Sequence, residues 1–215
     1  MIQTKAILFL LLAAPANLVA QQRTTNTETI LDDKVGDLDR DGMEERVIVL
    51  QYPDSLESDP VRELRIFKRK GKEWMLWHRS FKAILPKGEG GFFEDPFEYI
   101  EIENGMLTVR QSGGTAWKWG QTDQYKYRNG QFELIAYTSL YGKPCEYWAA
   151  FNYNVPTCTV RYRKQYETCA NKGAKKIKAR QEYFKYRMKN KLTLETRYLS
   201  YTTITCPRSK QEIVF

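Results

Sequence analysis

Apolar and polar positions alternate with a period of two over most of this chain, the pattern of strands that bury one face. Val47 to Gln51 is a continuous β-branched and apolar run and predicts a buried strand. Three hairpins follow. Leu64 to Phe67 and Trp74 to Trp77 flank Lys70-Gly71-Lys72; Tyr99 to Glu103 and Met106 to Arg110 flank Asn104-Gly105; Gln124 to Arg128 and Gln131 to Tyr137 flank Asn129-Gly130. Asn-Gly between alternating runs is a strong hairpin cue because both residues accept positive φ. Ile100 and Ile102 share a face against Leu107 and Val109, while Glu101 and Glu103 point away. Val160 to Tyr166 and Leu192 to Thr205, rich in Tyr and Thr, read as further strands. Between them, Ile177, Phe184 and Met188 fit a helical stripe, so a short helix is expected within 171–191.

Ahead of the first strand, Asp37, Asp39 and Asp41 alternate with other residues before Gly42, and Glu45 follows. Alternate carboxylates in a tight turn converge on one point, and the glycine lets the backbone bend so that the Met43 carbonyl can face the same point. That is an oxygen cage for a hard cation, most plausibly Ca²⁺, with Asp37, Asp39, Asp41, Met43 and Glu45 as ligands. A helix-loop-helix EF-hand is excluded, since its twelfth position falls on Ile48 inside the apolar run. The alternative is an acidic turn before a strand, built from ordinary turn formers.

The stretch Gly36-Asp37-Leu38-Asp39-Arg40-Asp41-Gly42, with Glu45 and Val47-Ile48-Val49, resembles the calcium loop of FG-GAP or VCBS-type repeats. A longer part of the chain, from Asp95-Pro96-Phe97-Glu98 through Gly113-Gly114-Thr115-Ala116-Trp117-Lys118-Trp119 to Leu134-Ile135, is similar to secreted bacterial proteins that join one such loop to a β-rich module. The resemblance implies a place outside the cytoplasm, a β fold and Ca²⁺ at Asp37, Asp39, Asp41 and Glu45; it implies no activity. True propellers carry several acidic loops, and this chain carries one.

Lys5, the apolar run Ala6 to Ala14 and the small residues Ala16 to Ala20 read as a secretory signal cleaved before Gln21, which predicts a secreted or periplasmic protein without a transmembrane span. In an exported chain four cysteines favour disulfides. Of the three pairings, Cys145 with Cys169 and Cys158 with Cys206 is favoured. Asn154-Val155-Pro156 looks like a hairpin tip whose arms carry Cys145 and Cys169, and a returning strand would bring Cys206 beside Cys158.

The net charge of +8 is uneven. Residues 21–63 are acidic, whereas Lys172 to Lys191 is basic and carries aromatics, which suits an anionic envelope surface or acidic polysaccharide. Export argues against nucleic acid. Trp117 and Trp119, one residue apart on an expected strand, would face the same side and offer flat rings to a sugar or peptide. Catalytic signals are thin. His78 is the single histidine, and no nucleophile-elbow motif accompanies it. Glu94, Asp95 and Glu98 beside Phe92, Phe93 and Phe97 offer carboxylates of the kind a glycoside hydrolase pairs.

The expected fold is mainly β, a β-dominated α+β chain: an antiparallel meander of hairpins, a partial propeller-like sheet and a disulfide-stapled C-terminal hairpin. Its parts are a leader at 1–20, a calcium-loop and β module at 21–140, and a basic, cysteine-containing layer at 141–215 packed onto it. The expected function is that of an exported non-enzymatic protein with a structural Ca²⁺, contacting glycan, peptide or another envelope protein. The alternatives are a cell-wall or glycoside hydrolase and an inhibitor or immunity-type protein.

Overall fold

The computed structural model describes residues 28–53, 61–91, 95–167, 179–198 and 201–215. The predicted leader, Phe92, Phe93, Glu94, Cys169 and residues 172–178 of the basic stretch lie outside them. The described chain is mainly β and its sheets are antiparallel. Strands β1 (Thr29–Gly36), β2 (Glu45–Gln51), β3 (Arg62–Lys70) and β4 (Glu73–Ser80) form a four-stranded meander. Strands β5 (Phe97–Glu103), β6 (Met106–Gly114), β7 (Lys118–Arg128), β8 (Gln131–Lys143), β9 (Tyr147–Asn154), β10 (Thr159–Tyr166) and β11 (Arg180–Lys185) form a second meander of seven. A C-terminal hairpin of β12 (Thr203–Thr205) and β13 (Glu212–Val214) completes the fold.

The three predicted hairpins form where the turn residues put them. Gly71, Asn104, Gly105, Asn129 and Gly130 all take positive φ, the conformation those hairpin turns require. Inward residues then line up in rows across the large sheet. Val109, Asp123, Tyr137, Tyr153, Val160 and Phe184 stand opposite one another from β6 to β11. Val47 and Val49 on β2 face the same interior as Ile66 and Leu64 on β3.

Two covers close this interior. The small sheet reaches the β7–β8 turn, where the Trp77 ring lies 4.4 Å from Tyr127 and 5.4 Å from Phe132. It meets the large sheet edge to edge as well: Asp32, at a bulge in β1, accepts the Ile100 N–H of β5 at 2.9 Å. Over β8 to β10 the cover is the C-terminal hairpin, whose Phe215 ring lies 5.0 Å from Tyr137 and 5.9 Å from Tyr153. Between the covers, Arg197 is wholly buried and donates through Nε to Asp123 at 2.7 Å. Breaking such a pair from one side strands a buried charge, so it fixes where the segment after β11 enters.

Four expectations change. Residues 180–185 are strand, not helix, because β10 offers an open edge: Phe184 meets Val160 and Glu182 meets Tyr162 on the inner face, while Tyr183 points out. Leu192 to Thr205 is not one strand. It bridges β8 at Thr193, turns through Leu194 to Tyr198 to bury Arg197, and is strand only at Thr203–Thr205. Strands β5 to β11 form one continuous sheet, so no second four-stranded blade follows the first and the propeller-like reading is not met. Cys158 and Cys206 are free thiols, so the predicted bridge between them is not formed. Cys158 sits in the β9–β10 turn. Cys206 instead begins the turn whose Arg208 and Ser209 N–H groups bind the Glu182 carboxylate, opposite Tyr162. Four residues of strand separate these levels, about 13 Å at ~3.3 Å per residue and far beyond a disulfide's reach.

Candidate metal centre

The acidic loop joins β1 to β2, and its shape follows from its residues. Asp39 Oδ1 accepts the Asp41 N–H and Asp41 Oδ1 accepts the Met43 N–H, which are the two-residue turns Asp forms readily. Gly42 has φ +88°, where a side chain would be strained, and donates its N–H to Asp37 Oδ2 at 3.0 Å. Glu45 opens β2, is almost wholly buried, and accepts the Leu38 N–H through Oε2 at 2.7 Å.

Each of the four carboxylates therefore spends one oxygen on the loop's own backbone. The remaining oxygens converge. Asp37, Asp39 and Glu45 each bring one oxygen within 4.8 Å of the others. Asp37 Oδ1 is buried without a hydrogen-bond partner. Asp41 does not join this triad, but its Oδ2 lies 3.2 Å from the Lys68 ammonium that the cluster shares. Met43 has an exposed side chain, and its N–H is the group tied to the loop.

Lys68 is the residue that spacing in the sequence does not reveal. It arrives from β3, ion-paired with Asp39, 3.2 Å from Asp41 and 3.8 Å from Glu45. Its ammonium also rests 4.3 Å above the Trp77 ring. Burial works against the charge of Lys68, but the hydrogen bonds it donates to Asp39 and Asp41 outweigh it and raise its pKa. Burial pushes the Glu45 carboxyl up, with the Leu38 N–H opposing and Asp39 adding. The Met43 N–H, ahead of Lys68, holds Asp41 below the ordinary carboxylate range. Four formal negative charges against one ammonium leave the pocket strongly anionic. Its donors are all carboxylate oxygens, the chemistry of a hard cation. The orphaned oxygen of Asp37 fits that chemistry, because a buried acceptor without a partner costs roughly 1–3 kcal/mol.

No family model matches the chain, and no match was found among curated proteins or solved structures.

The other predicted residues divide. Trp119 lies on β7 opposite Tyr141, whereas Trp117 lies in the bend before the strand. They do not form an i, i+2 pair on one strand. Trp117 instead stacks on Tyr141, the cross-strand register partner of Trp119, at 5.3 Å with the rings 8° apart. Trp119, Tyr141 and Tyr147 line a cleft of about 490 Å³ between the large sheet and β13, with Gln121, Ser139 and Glu212 among its polar groups. Sequence spacing could not supply Tyr147 or β13, which arrive from strands far along the chain.

Of the carboxylates offered for hydrolysis, Glu94 lies outside the described residues, and Asp95 and Glu98 are engaged. Asp95 is ion-paired with buried Arg62; burial acts against its charge, but Arg62 and the Phe97 N–H hold its pKa low, the reverse of what a general acid needs. Glu98 is held by Arg110 at 2.6 Å. His78 lies against Trp77 and Phe132 with Nδ1 3.2 Å from Glu195, and Ser80 donates to the Leu194 carbonyl instead of to the imidazole. Of the basic stretch, Lys191 pairs with Glu133 and Lys185 bonds Thr157 and Thr159. No helix among the described residues is long and apolar enough to cross a membrane.

Proposed function

We propose that this is an exported, non-enzymatic binding protein that carries an FG-GAP or VCBS-like loop, with a structural Ca²⁺ at Asp37, Asp39, Asp41 and Glu45 and a glycan in the aromatic cleft beside β13. The cleft carries this reading. Its volume of about 490 Å³ lies in the range of small-ligand sites. Aromatic faces with a few hydrogen-bonding groups between them suit a sugar ring, whose axial C–H bonds pack on π-faces while its hydroxyls need amide, hydroxyl and carboxylate partners. The ion pairs of Asp95 with Arg62 and of Glu98 with Arg110 support binding over turnover at those carboxylates.

Ca²⁺ would act at a distance from the cleft, replacing repulsion among the carboxylates with coordination and pinning the entry to β2. Disulfide formation at Cys145 and Cys169, and passage through a secretory route, belong to the same proposal.

Calorimetric titration of the full chain with a panel of neutral oligosaccharides tests the cleft. Binding is expected, with a loss of at least about tenfold, roughly 1.4 kcal/mol, in Trp119→Ala and Tyr147→Ala variants that keep their circular dichroism. A wild-type protein that binds none of the panel overturns the reading. The metal part is tested separately by melting with calcium or chelator. Asp37→Asn should abolish the calcium-induced rise in Tm, yet leave the chelated protein as stable as wild type or slightly more so, because it removes a crowded charge.

A further inference from the structure

The outer face of the large sheet is a second surface, distinct from the cleft. Register places its outward residues in rows. Ser112, Gly120, Leu140, Ala150 and Arg163 stand side by side from β6 to β10, and Arg110, Thr122, Thr138, Asn152 and Arg161 form the next row. The middle of the second row is short and polar, Thr122, Thr138 and Asn152, while the first row brings Gly120, Ala150 and the exposed Leu140; Arg110 with Glu98 and the Trp148 indole stand along the margin. The result is an open groove of about 380 Å³ on the β5–β9 part of this face. The two rows continue beyond it to β10, so that from β6 to β10 they cross four strand spacings, about 19 Å at ~4.8 Å each.

Charge is distributed unevenly along it. At the β5 end Arg110 is neutralised by Glu98. Toward β11, Arg161 lies over the Tyr183 ring at 5.6 Å, Arg163 donates to Gln165 at 2.9 Å, and Lys185 donates to Thr157 and Thr159 at 2.9 Å. None of these three cations has a carboxylate partner among the described residues, and Arg161, Arg163 and Lys185 are exposed. Their neutral partners hold the guanidinium groups on the face without cancelling their charge.

We infer that this face binds a linear acidic polysaccharide. The chain lies across the strands, its hydroxyls on Thr122, Thr138 and Asn152 and its carboxylates on Arg161 and Arg163. Arginine suits that end because its planar fork takes a carboxylate through two parallel bonds. The floor has no cluster of protruding apolar side chains to enter a bilayer, and it lacks the succession of exposed aromatic platforms on which single-stranded bases stack. The polar row of Thr122, Thr138 and Asn152 offers its hydroxyl and amide groups to a hydroxyl-rich chain instead.

The test is calorimetric titration of the full chain with oligogalacturonate at low and raised ionic strength, beside Arg161→Gln/Arg163→Gln, Arg161→Lys/Arg163→Lys and Tyr147→Ala variants. Wild type should bind, with affinity falling as salt rises. The Gln pair should lose at least about tenfold in affinity and the Lys pair should retain part of it, both with unchanged melting since the side chains are exposed. Tyr147→Ala, at a residue that lines the cleft but not this groove, should bind oligogalacturonate as wild type does, which separates this face from the neutral-glycan cleft. Absence of binding at low salt, loss of binding with Tyr147→Ala, or equal affinity for phosphatidylglycerol vesicles or a single-stranded oligonucleotide overturns the inference.

Discussion

The ammonium of Lys68 lies 4.3 Å from the centre of the Trp77 ring and faces, on its other side, the carboxylates of Asp39 and Asp41. It is a cation already built into the acidic pocket. A divalent ion entering that pocket meets a positive charge that it must displace or tolerate, so Lys68 and Ca²⁺ compete for the same oxygens.

Lys68→Met should therefore tighten Ca²⁺ binding by about tenfold, or about 1.4 kcal/mol, while lowering the melting temperature of the chelated protein, in which the carboxylates then lack any counter-charge. Calorimetry with calcium and melting in chelator read the two effects. Unchanged calcium affinity in the variant would show that the ammonium is a bystander.

This competition marks where the sequence stopped being legible. Turn chemistry and period-two alternation placed β2 to β8 and the acidic loop because those signals are local: Asn104-Gly105 and Asn129-Gly130 fix their own hairpins. Lys68 carries no local signal, since in Phe67-Lys68-Arg69-Lys70 it reads as one charge among three. Only the pairing of β2 with β3 sets it beside Glu45. Residues 180–185 were misread for the same reason. Their apolar positions satisfy a helix and a strand alike, and the open edge of β10 decided between them. The cleft draws Trp119 from β7, Tyr147 from β9 and Val214 from β13, a convergence that no spacing rule reports.

Glu63 predicts the acid response of the small sheet. Its side chain is wholly buried and its Oε2 accepts from Tyr52 and, at 2.8 Å, from Arg65 Nε. Arg79 Nε lies 2.6 Å from Oε1 without hydrogen-bond alignment, so it acts there as a charge and not as a donor. Burial alone would raise this carboxyl, but Arg65 and Tyr52 outweigh it and its pKa is lowered. A lowered folded pKa means stability that is fully present above the unfolded value, about 4.3, and is lost as pH falls through the folded one. Denaturant melts should show wild-type stability falling below about pH 4.5. Glu63→Gln should be less stable by about 2–4 kcal/mol at pH 7 and should vary less with pH in that window. Parallel pH profiles for the two proteins would exclude this role for Glu63.

The two free cysteines should differ in reactivity. Cys206 is fully buried in the C-terminal hairpin, and burial, with the nearby Glu182 charge adding, raises its thiol pKa. Cys158 is half-buried in a turn. Under native conditions a thiol reagent should modify Cys158 and spare Cys206 until the protein is denatured. Rapid native labelling of both would mean that the C-terminal hairpin opens readily. Recovery of a Cys158–Cys206 peptide from non-reduced digests would reinstate the bridge that their separation argues against.

The edge contact between the sheets rests on a missing side chain. Gly36 ends β1 directly against Ile102 of β5, and a Cβ at position 36 would lie 2.6 Å from Ile102 Cγ2. Its φ is not in the left-handed region, so the requirement is space, not backbone freedom. Gly36→Ala must push β1 and β5 apart or force Ile102 off its rotamer, which costs about 1–3 kcal/mol. The acidic loop begins at the next residue, so the same displacement should weaken calcium binding as well. Ile102→Ala removes the clashing methyl. In a double-mutant cycle the pair should be less destabilised than the sum of the singles by about 1 kcal/mol or more. Additive losses in denaturant melts would instead mean that β1 shifts against β5 without cost at this contact.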